Sequence, residues 1–265
     1  MQTTQLNHLI IVCCHAIYLQ GPTQGASEEE WLIEPFQKGE TPTFTNHVKA
    51  GLDVLANEPP GLLVFSGGAT KQALTTLTEG ESYLNLAKDN NYFSCATRIN
   101  PDHVIAETHA TDSYQNVLFS LLRFRRHVGW YPAKVTVVTH EFKRKRFMEC
   151  HFPAIGLLPV VAIGEDNHPR VEVVGMNPPE EVTSLESLVT GEEKRGIGLW
   201  QKDRYGVQSD LAGKRVRRGW SQGMEDGLFV HVGLEPVVEE LVQWNGGQNG
   251  NEWFGKLDQL PWYTS

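Results

Sequence analysis

The residues able to do chemistry in this chain fall in short polar groups that interrupt apolar runs. Ser66-Gly67-Gly68 follows Leu62-Leu63-Val64-Phe65, Asp112-Ser113 stands one turn ahead of Asn116, and Lys143-Arg144-Lys145-Arg146 follows His140. Backbone N–H groups of a Ser-Gly-Gly turn, or of a helix start such as Asp112-Ser113, can cradle an anion. The basic run opens a helical pattern, where each cation opposes the helix dipole by roughly 0.3–1 kcal/mol. Such a run calls for anionic partners. A helix turns quickly from side to side, so only part of the run can face one cleft. The facing set is either His140, Lys143 and Arg144, or His140, Arg144 and Arg146; Lys145 reads as solvated.

His15 and His140 suit acid–base work, because imidazole titrates near neutrality. Glu107 ends an apolar run, where a carboxylate needs a partner. These three are the candidate catalytic groups. Glu79 and Glu107 are also suited to fixing hydroxyl or amino groups of a ligand. The candidate ligand-binding set is Ser66, Gly67, Gly68, Glu79, Asp112, Ser113, Asn116, Lys143, Arg144 and Arg146. Plain structural roles compete: a tight turn for Ser-Gly-Gly, a helix cap for Asp112-Ser113, a core histidine for His15. Glu107, Asp112 and a histidine offer metal-ligand chemistry, but no H-E-x-x-H or Asp-rich signature accompanies them, and no metal ligand is assigned. Phe65-Ser66-Gly67-Gly68 is not the G-x-S-x-G of a nucleophile elbow. Cys13-Cys14-His15-Ala16 stands where a classical methyltransferase carries G-x-G-x-G.

Alternating strands and helices must hold these groups. His8–Cys14, Leu62–Phe65, Val104–Ala106 and Lys134–Thr139 read as short buried strands of the parallel type, with Val160–Ile163 and Val171–Val174 as further candidates. Helical patterns run through 31–38, 43–56, 78–88 (Thr78 and Glu81 in capping-box spacing), about 112–122 and about 141–151. This alternation predicts an α/β, Rossmann-like, doubly wound and mainly parallel sheet. In such sheets ligands sit beyond the carboxyl ends of the strands, where the groups above lie. The texture changes after Gly175. Helical patterns at 180–190 and 234–244 flank an irregular basic loop, a Gly/Asn/Gln stretch at 245–251 reads as mobile, and an aromatic tail follows. The predicted division is an α/β domain over 1–178 and a helical or irregular C-terminal extension over 179–265, packing on the core.

Four segments together resemble the YdcF-like family (SanA/ElyC-like proteins, a family of domains of unknown function) in its eukaryotic, fungal-type branch. They are Phe65-Ser66-Gly67-Gly68; Thr78-Glu79-x-Glu81-Ser82-Tyr83; Glu107-x-x-Ala110-x-Asp112-Ser113-x-x-Asn116; and Val137-Val138-Thr139-His140-Glu141-Phe142-Lys143-x-x-Arg146-Phe147. The resemblance covers about residues 8–178, and Asp203–Gly206 with Lys214-Arg215-x-x-Arg218 is similar to the same branch. It implies a Rossmann-like fold with a cleft at the strand ends, and S-adenosylmethionine or a nucleotide as the cofactor or ligand class. It implies no particular reaction. The spacing of the bacterial histidine and arginine is altered in this chain.

The chain has 265 residues with Lys+Arg 23 against Asp+Glu 32, a formal charge of −9, which argues against a dedicated nucleic-acid binder. The charge is uneven: residues 123–151 and 194–218 each carry eight cations and two acids. No apolar run approaches the ~20 residues of a membrane span, and Leu9–Val12 lacks the basic flank of a signal peptide. Four cysteines without a C-x-x-C pair make no disulfide framework. An intracellular, cytoplasmic protein is expected, with its oligomeric state left open. The function expected is that of an enzyme, a hydrolase or transferase, acting on a small anionic or nucleotide-like ligand by phosphoester or group-transfer chemistry. The alternative is a non-catalytic S-adenosylmethionine or nucleotide-binding module.

Overall fold

The computed structural model describes residues 5–58, 60–158, 170–221, 223–229 and 232–263. Among these residues its centre is a five-stranded, all-parallel sheet. Six-residue apolar strands β1 (His8–Cys13) and β4 (Gly61–Ser66) are buried at every position, as strands covered on both faces must be. A small antiparallel ribbon, β2 (Ile17–Tyr18) with β3 (Trp31–Leu32), lies between them in the chain. β5 (Val104–Glu107), β6 (Lys134–Thr139) and β7 (Val171–Gly175) complete the sheet in the order β5-β4-β1-β6-β7. His8 stands opposite both Gly61 and Lys134, so the central three strands end nearly level.

Alternation along β1 sends side chains to two cores. Ile10 and Val12 pack with α1 (Thr41–Asn57) and α2 (Glu79–Asp89) on one face. Leu9, Ile11 and Cys13 pack with α3 (Ser113–Val128) on the other. The chain thus crosses the sheet between α2 and α3, and strand order reverses at β1. The sheet is doubly wound and Rossmann-like, as the alternation predicts.

Local chemistry explains most boundaries. Thr78 and Glu81 close a reciprocal capping box on α2, and Asp112 caps α3 by accepting from Gln115 N at 2.9 Å. The pattern over 31–38 is not a helix: Pro35 restricts the residue before it, and the stretch becomes β3 and one 3₁₀ turn (Pro35–Gln37). After β6 a 3₁₀ turn (Glu141–Lys143) leads into α4 (Arg144–Arg146), which widens into a π turn (Phe147–His151) and closes as α5 (Phe152–Ala154). Pro153 has no N–H to donate back to Glu149, and the turn before it is the widened one. The strand candidate Val160–Ile163 lies outside the described residues; Val171–Val174 is within β7.

The C-terminal part is more regular than its sequence suggests. α6 (Leu185–Arg195), α7 (Ile197–Trp200), α8 (Ser209–Arg217), α9 (Met224–Phe229) and α10 (Pro236–Val242) follow, so the basic stretch 194–218 is largely helical. Its apolar residues join the face of the sheet that carries α3: Trp200, Tyr205, Leu211, Val238, Leu241, Phe254 and Trp262 are buried in the same core as Ile11 and Val137. Trp262 Nε1 donates to Ile155 O at 2.7 Å. The C-terminal part therefore completes the core it covers. Among the described residues no helix is long and apolar enough to cross a membrane.

Candidate functional site

A cavity of about 680 Å³ opens beyond the carboxyl ends of β1 and β6. This is the place where strand order reverses and where ligands bind in open α/β sheets. His15, after β1, and Thr139-His140, at the end of β6, line it together with Lys143 and Arg146 from the turn and α4. The far wall comes from the C-terminal helices, through Glu192, Trp200, Lys214 and Arg218. Both basic segments of the sequence thus meet at one cavity.

Lys143 decides its electrostatics. Among the described residues no carboxylate lies within 4.0 Å of the ammonium, whose one aromatic contact is the Phe142 ring at 5.4 Å. Burial first, then the Arg146 and Arg218 charges, push its pKa down to about 8, while Glu192 and Cys13 pull the other way. Arg146 is neutralised by a two-point ion pair with the buried Glu192 of α6, Nε to Oε1 at 2.7 Å. Lys214 and Arg218 donate to backbone carbonyls, of Arg195 at 2.8 Å and of Thr111 at 2.9 Å, and have no carboxylate partner among the described residues. The lining acids are correspondingly quiet. Burial raises the pKa of Glu79 and of Glu40, and Asp112 is paired with Arg215, Oδ2 to Nε at 2.5 Å.

Three imidazoles meet at the cavity floor. The His15 and His140 rings lie 4.4 Å apart, and the His47 ring stands edge-on to His140 at 4.8 Å. His15 is pinned by its backbone: its N–H donates to Tyr83 Oη at 3.3 Å and its carbonyl accepts from Gln37 Nε2 at 2.9 Å. His47, on the apolar face of α1, donates Nε2–H to Met176 O at 3.0 Å, which leaves Nδ1 as an unpartnered acceptor. His140 is 3 % exposed, and neither ring nitrogen has a partner among the described residues. An unsatisfied buried polar group costs about 1–3 kcal/mol. Burial, then the Lys143 charge, holds His15 and His140 well below the usual imidazole pKa, and burial lowers His47 to about 4. All three are neutral at pH 7.

Several residues expected at the site have other employment. The N–H groups of Gly67 and Gly68 donate to Glu107 O (3.1 Å) and Ala110 O (2.7 Å), so this turn has no such donors left for an anion. Ser66 Oγ bonds Glu107 Oε2 at 2.7 Å and Asn116 Oδ1 at 3.2 Å beneath the cavity lining. Glu107 also accepts from His109 N and Ala110 N, which meets the need of a buried carboxylate internally. It is a clasp between β4, β5 and α3, not a group poised over a ligand. Asp112 lines the cavity, yet one oxygen caps α3 and the other holds Arg215. Arg144 points away from the cavity and forms a two-point pair with Glu141, both bonds 2.7 Å. The facing set is His140, Lys143 and Arg146. Glu107, Asp112 and a histidine do not converge as metal ligands.

Ser113 does face the cavity. Its Oγ accepts from Arg146 Nη1 at 3.1 Å and sits 2.7 Å from His151 Nε2. His151 is fully buried, and among the described residues its Nδ1 has no partner, so none of them orients it as the third group of a hydrolase triad does. Sequence reasoning passed over His47, His151 and Glu192, and named Lys214 and Arg218 only as part of the resemblance, without assigning them to the site. For His47 a signal existed: it falls on the stripe Phe44, His47, Val48, Gly51, Leu52, where a polar residue is out of place. For Glu192 there was none, because its partner lies 46 residues away.

No known protein-family profile matches the chain, and no solved structure matches it. Among curated proteins, an uncharacterised protein of Saccharomyces cerevisiae, YOR238W, is 25% identical, in an alignment covering 79% of this chain and 82% of the yeast one. Its name carries no activity.

Proposed function

We propose that the chain is an enzyme that binds a small anionic, phosphate-bearing ligand in the cavity beyond β1 and β6, and acts on it by phosphoester hydrolysis or group transfer. The observation that carries this reading is the Lys143 ammonium. It is partly buried on the cavity wall, with no carboxylate within ion-pair distance among the described residues. A desolvated cation persists at such a place when its counter-charge arrives with a ligand. The sulfonium of S-adenosylmethionine would add to that positive charge, so a phosphate is the better occupant. Phe36, 76 % exposed and on the lining, gives a ring-bearing ligand such as a nucleotide a surface to stack on. The strand-end motifs that resemble the YdcF-like family gather around this cavity.

The roles follow from position. Lys143 holds the anion, Arg146, paired with Glu192, positions the Ser113 hydroxyl at the α3 terminus, and the neutral His15 and His140 accept a proton from an attacking oxygen and return it to the leaving one. Calorimetric titration with AMP, inorganic phosphate and S-adenosylmethionine tests the reading. AMP or phosphate is expected to bind, with at least a tenfold loss in Lys143→Met, about 1.4 kcal/mol, and no change in Arg144→Ala. Equal affinity in Lys143→Met and the parent chain would sink the proposal. Turnover of a phosphoester that disappears in His140→Ala while binding persists separates an enzyme from a binding module.

A further inference from the structure

We propose that His15, His47 and His140 form a site for a divalent transition metal, zinc by its donor set, with an open coordination position toward the cavity. One ligand atom from each ring can be chosen so that all three lie within 4.8 Å of one another. Tetrahedral zinc with Zn–N near 2.0–2.1 Å needs nitrogens about 3.4 Å apart, so metal binding must draw the rings closer together.

The rings are already prepared for this role. His47 donates Nε2–H to the Met176 carbonyl, the second-shell bond that fixes tautomer and aim in metal-ligating histidines, and Nδ1 is left bare. His140, 3 % exposed, has no partner for either ring nitrogen among the described residues, and a metal satisfies one of them. His15 contacts Thr139 Oγ1 through Nε2 at 3.5 Å, and no described residue bonds its Nδ1. Three neutral imidazoles without a thiolate or carboxylate suit zinc, copper or nickel rather than magnesium or calcium. Tetrahedral zinc bound by three protein ligands keeps a fourth position for water or substrate, and with the site loaded His15 and His140 act as ligands, their proton-accepting role being confined to the metal-free chain. His15 and His140 line the cavity, so that position faces Lys143 and Arg146. Those two cations repel a bare dication, and an anion in the cavity offsets both. This coupling rests on the function proposed above; the ligand set does not.

The test is titration of the chelator-treated full chain with zinc against a chromophoric competitor, with sulfate held constant, and in parallel with cobalt(II). One zinc per chain is expected, together with the visible d–d bands of four-coordinate cobalt. Affinity should fall by about tenfold or more in each of His15→Ala, His47→Ala and His140→Ala, and stay unchanged in His127→Ala. Because His47→Ala removes a fully buried side chain and could unfold the chain, the cobalt spectrum of the parent protein is read first. Absence of four-coordinate cobalt bands in that spectrum overturns the proposal without recourse to any variant. Equal losses in His127→Ala and the three cluster variants overturn it as well. Sulfate affinity of the metal-free chain tests the anion reading separately, so either can fail alone.

Discussion

At the scale of single residues, what a side chain touches matters more here than its type. Glu107 and Lys143 both looked unpaired in sequence. Glu107 finds Ser66 Oγ and two backbone N–H groups, whereas Lys143 finds no carboxylate within 4.0 Å among the described residues. The lowered pKa of Lys143, about 8, has a direct consequence for binding. Below that value the ammonium is charged and attracts an anion; above it the charge is lost. Sulfate, whose own charge is constant across the range, is therefore expected to bind well at pH 7 and progressively more weakly as pH rises through 8 and 9. A bound anion raises the lysine pKa, so the midpoint should move upward with sulfate concentration. Calorimetry at a series of pH values checks this, and a flat profile would remove Lys143 as the anion's partner. The groups facing Lys143 include Arg146, Arg218, Glu192, Cys13 and the imidazoles of His15 and His140, and burial raises the Cys13 thiol to about 12.

At the scale of elements, two contacts hold the cavity's walls in place. The first turn of α2 lies so close to the strand ends that a methyl on Gly80 would meet the carbonyl oxygens of Glu107 and Phe65. Backbone atoms cannot step aside as a flexible side chain can. Gly80→Ala is expected to cost about 1–3 kcal/mol in denaturant unfolding, as overpacking does. The second contact is Arg215 of α8 with the α3 cap Asp112, side chains 9% and 10% exposed. Arg215→Ala leaves that carboxylate enclosed without its cation, at about 3–5 kcal/mol. Losses below 1 kcal/mol in urea unfolding would show that α8 does not hold the cap. The elements themselves were legible where local chemistry fixes them, as at Thr78 and Asp112. They were illegible over 31–38, where an apolar period was outweighed by Pro35.

At the scale of the whole molecule, an average charge of −9 conceals an arrangement. The two cation-rich segments, 123–151 and 194–218, converge on one cavity, and the acids that meet them there are spent on Arg146 and Arg215. The C-terminal part supplies both a wall of the cavity and a large share of one core. A fragment ending at residue 178 is expected to expose the sheet face that Trp200, Tyr205, Val238 and Trp262 cover. It should bind a hydrophobic dye and lose cooperative thermal unfolding. A sharp, cooperative transition in that fragment would instead make residues 1–178 a self-sufficient domain.

The sequence by itself determined the sheet class, the positions of the five strands of the parallel sheet, the caps of α2 and α3 and the end of the sheet where the cavity opens. All of these are set by interactions within a few residues or by the period of apolar side chains. Tertiary structure alone decided which polar groups are free. Hydrogen-bond partners at separations of 41, 46 and 107 residues consume Glu107, Arg146 and the guanidinium of Arg218. The same long-range packing brings His47 from α1 against His15 and His140, a meeting that no local spacing encodes. Burial then turns ordinary side chains into reactive ones, because a charge or an imidazole enclosed away from water must be satisfied by another group or by a ligand.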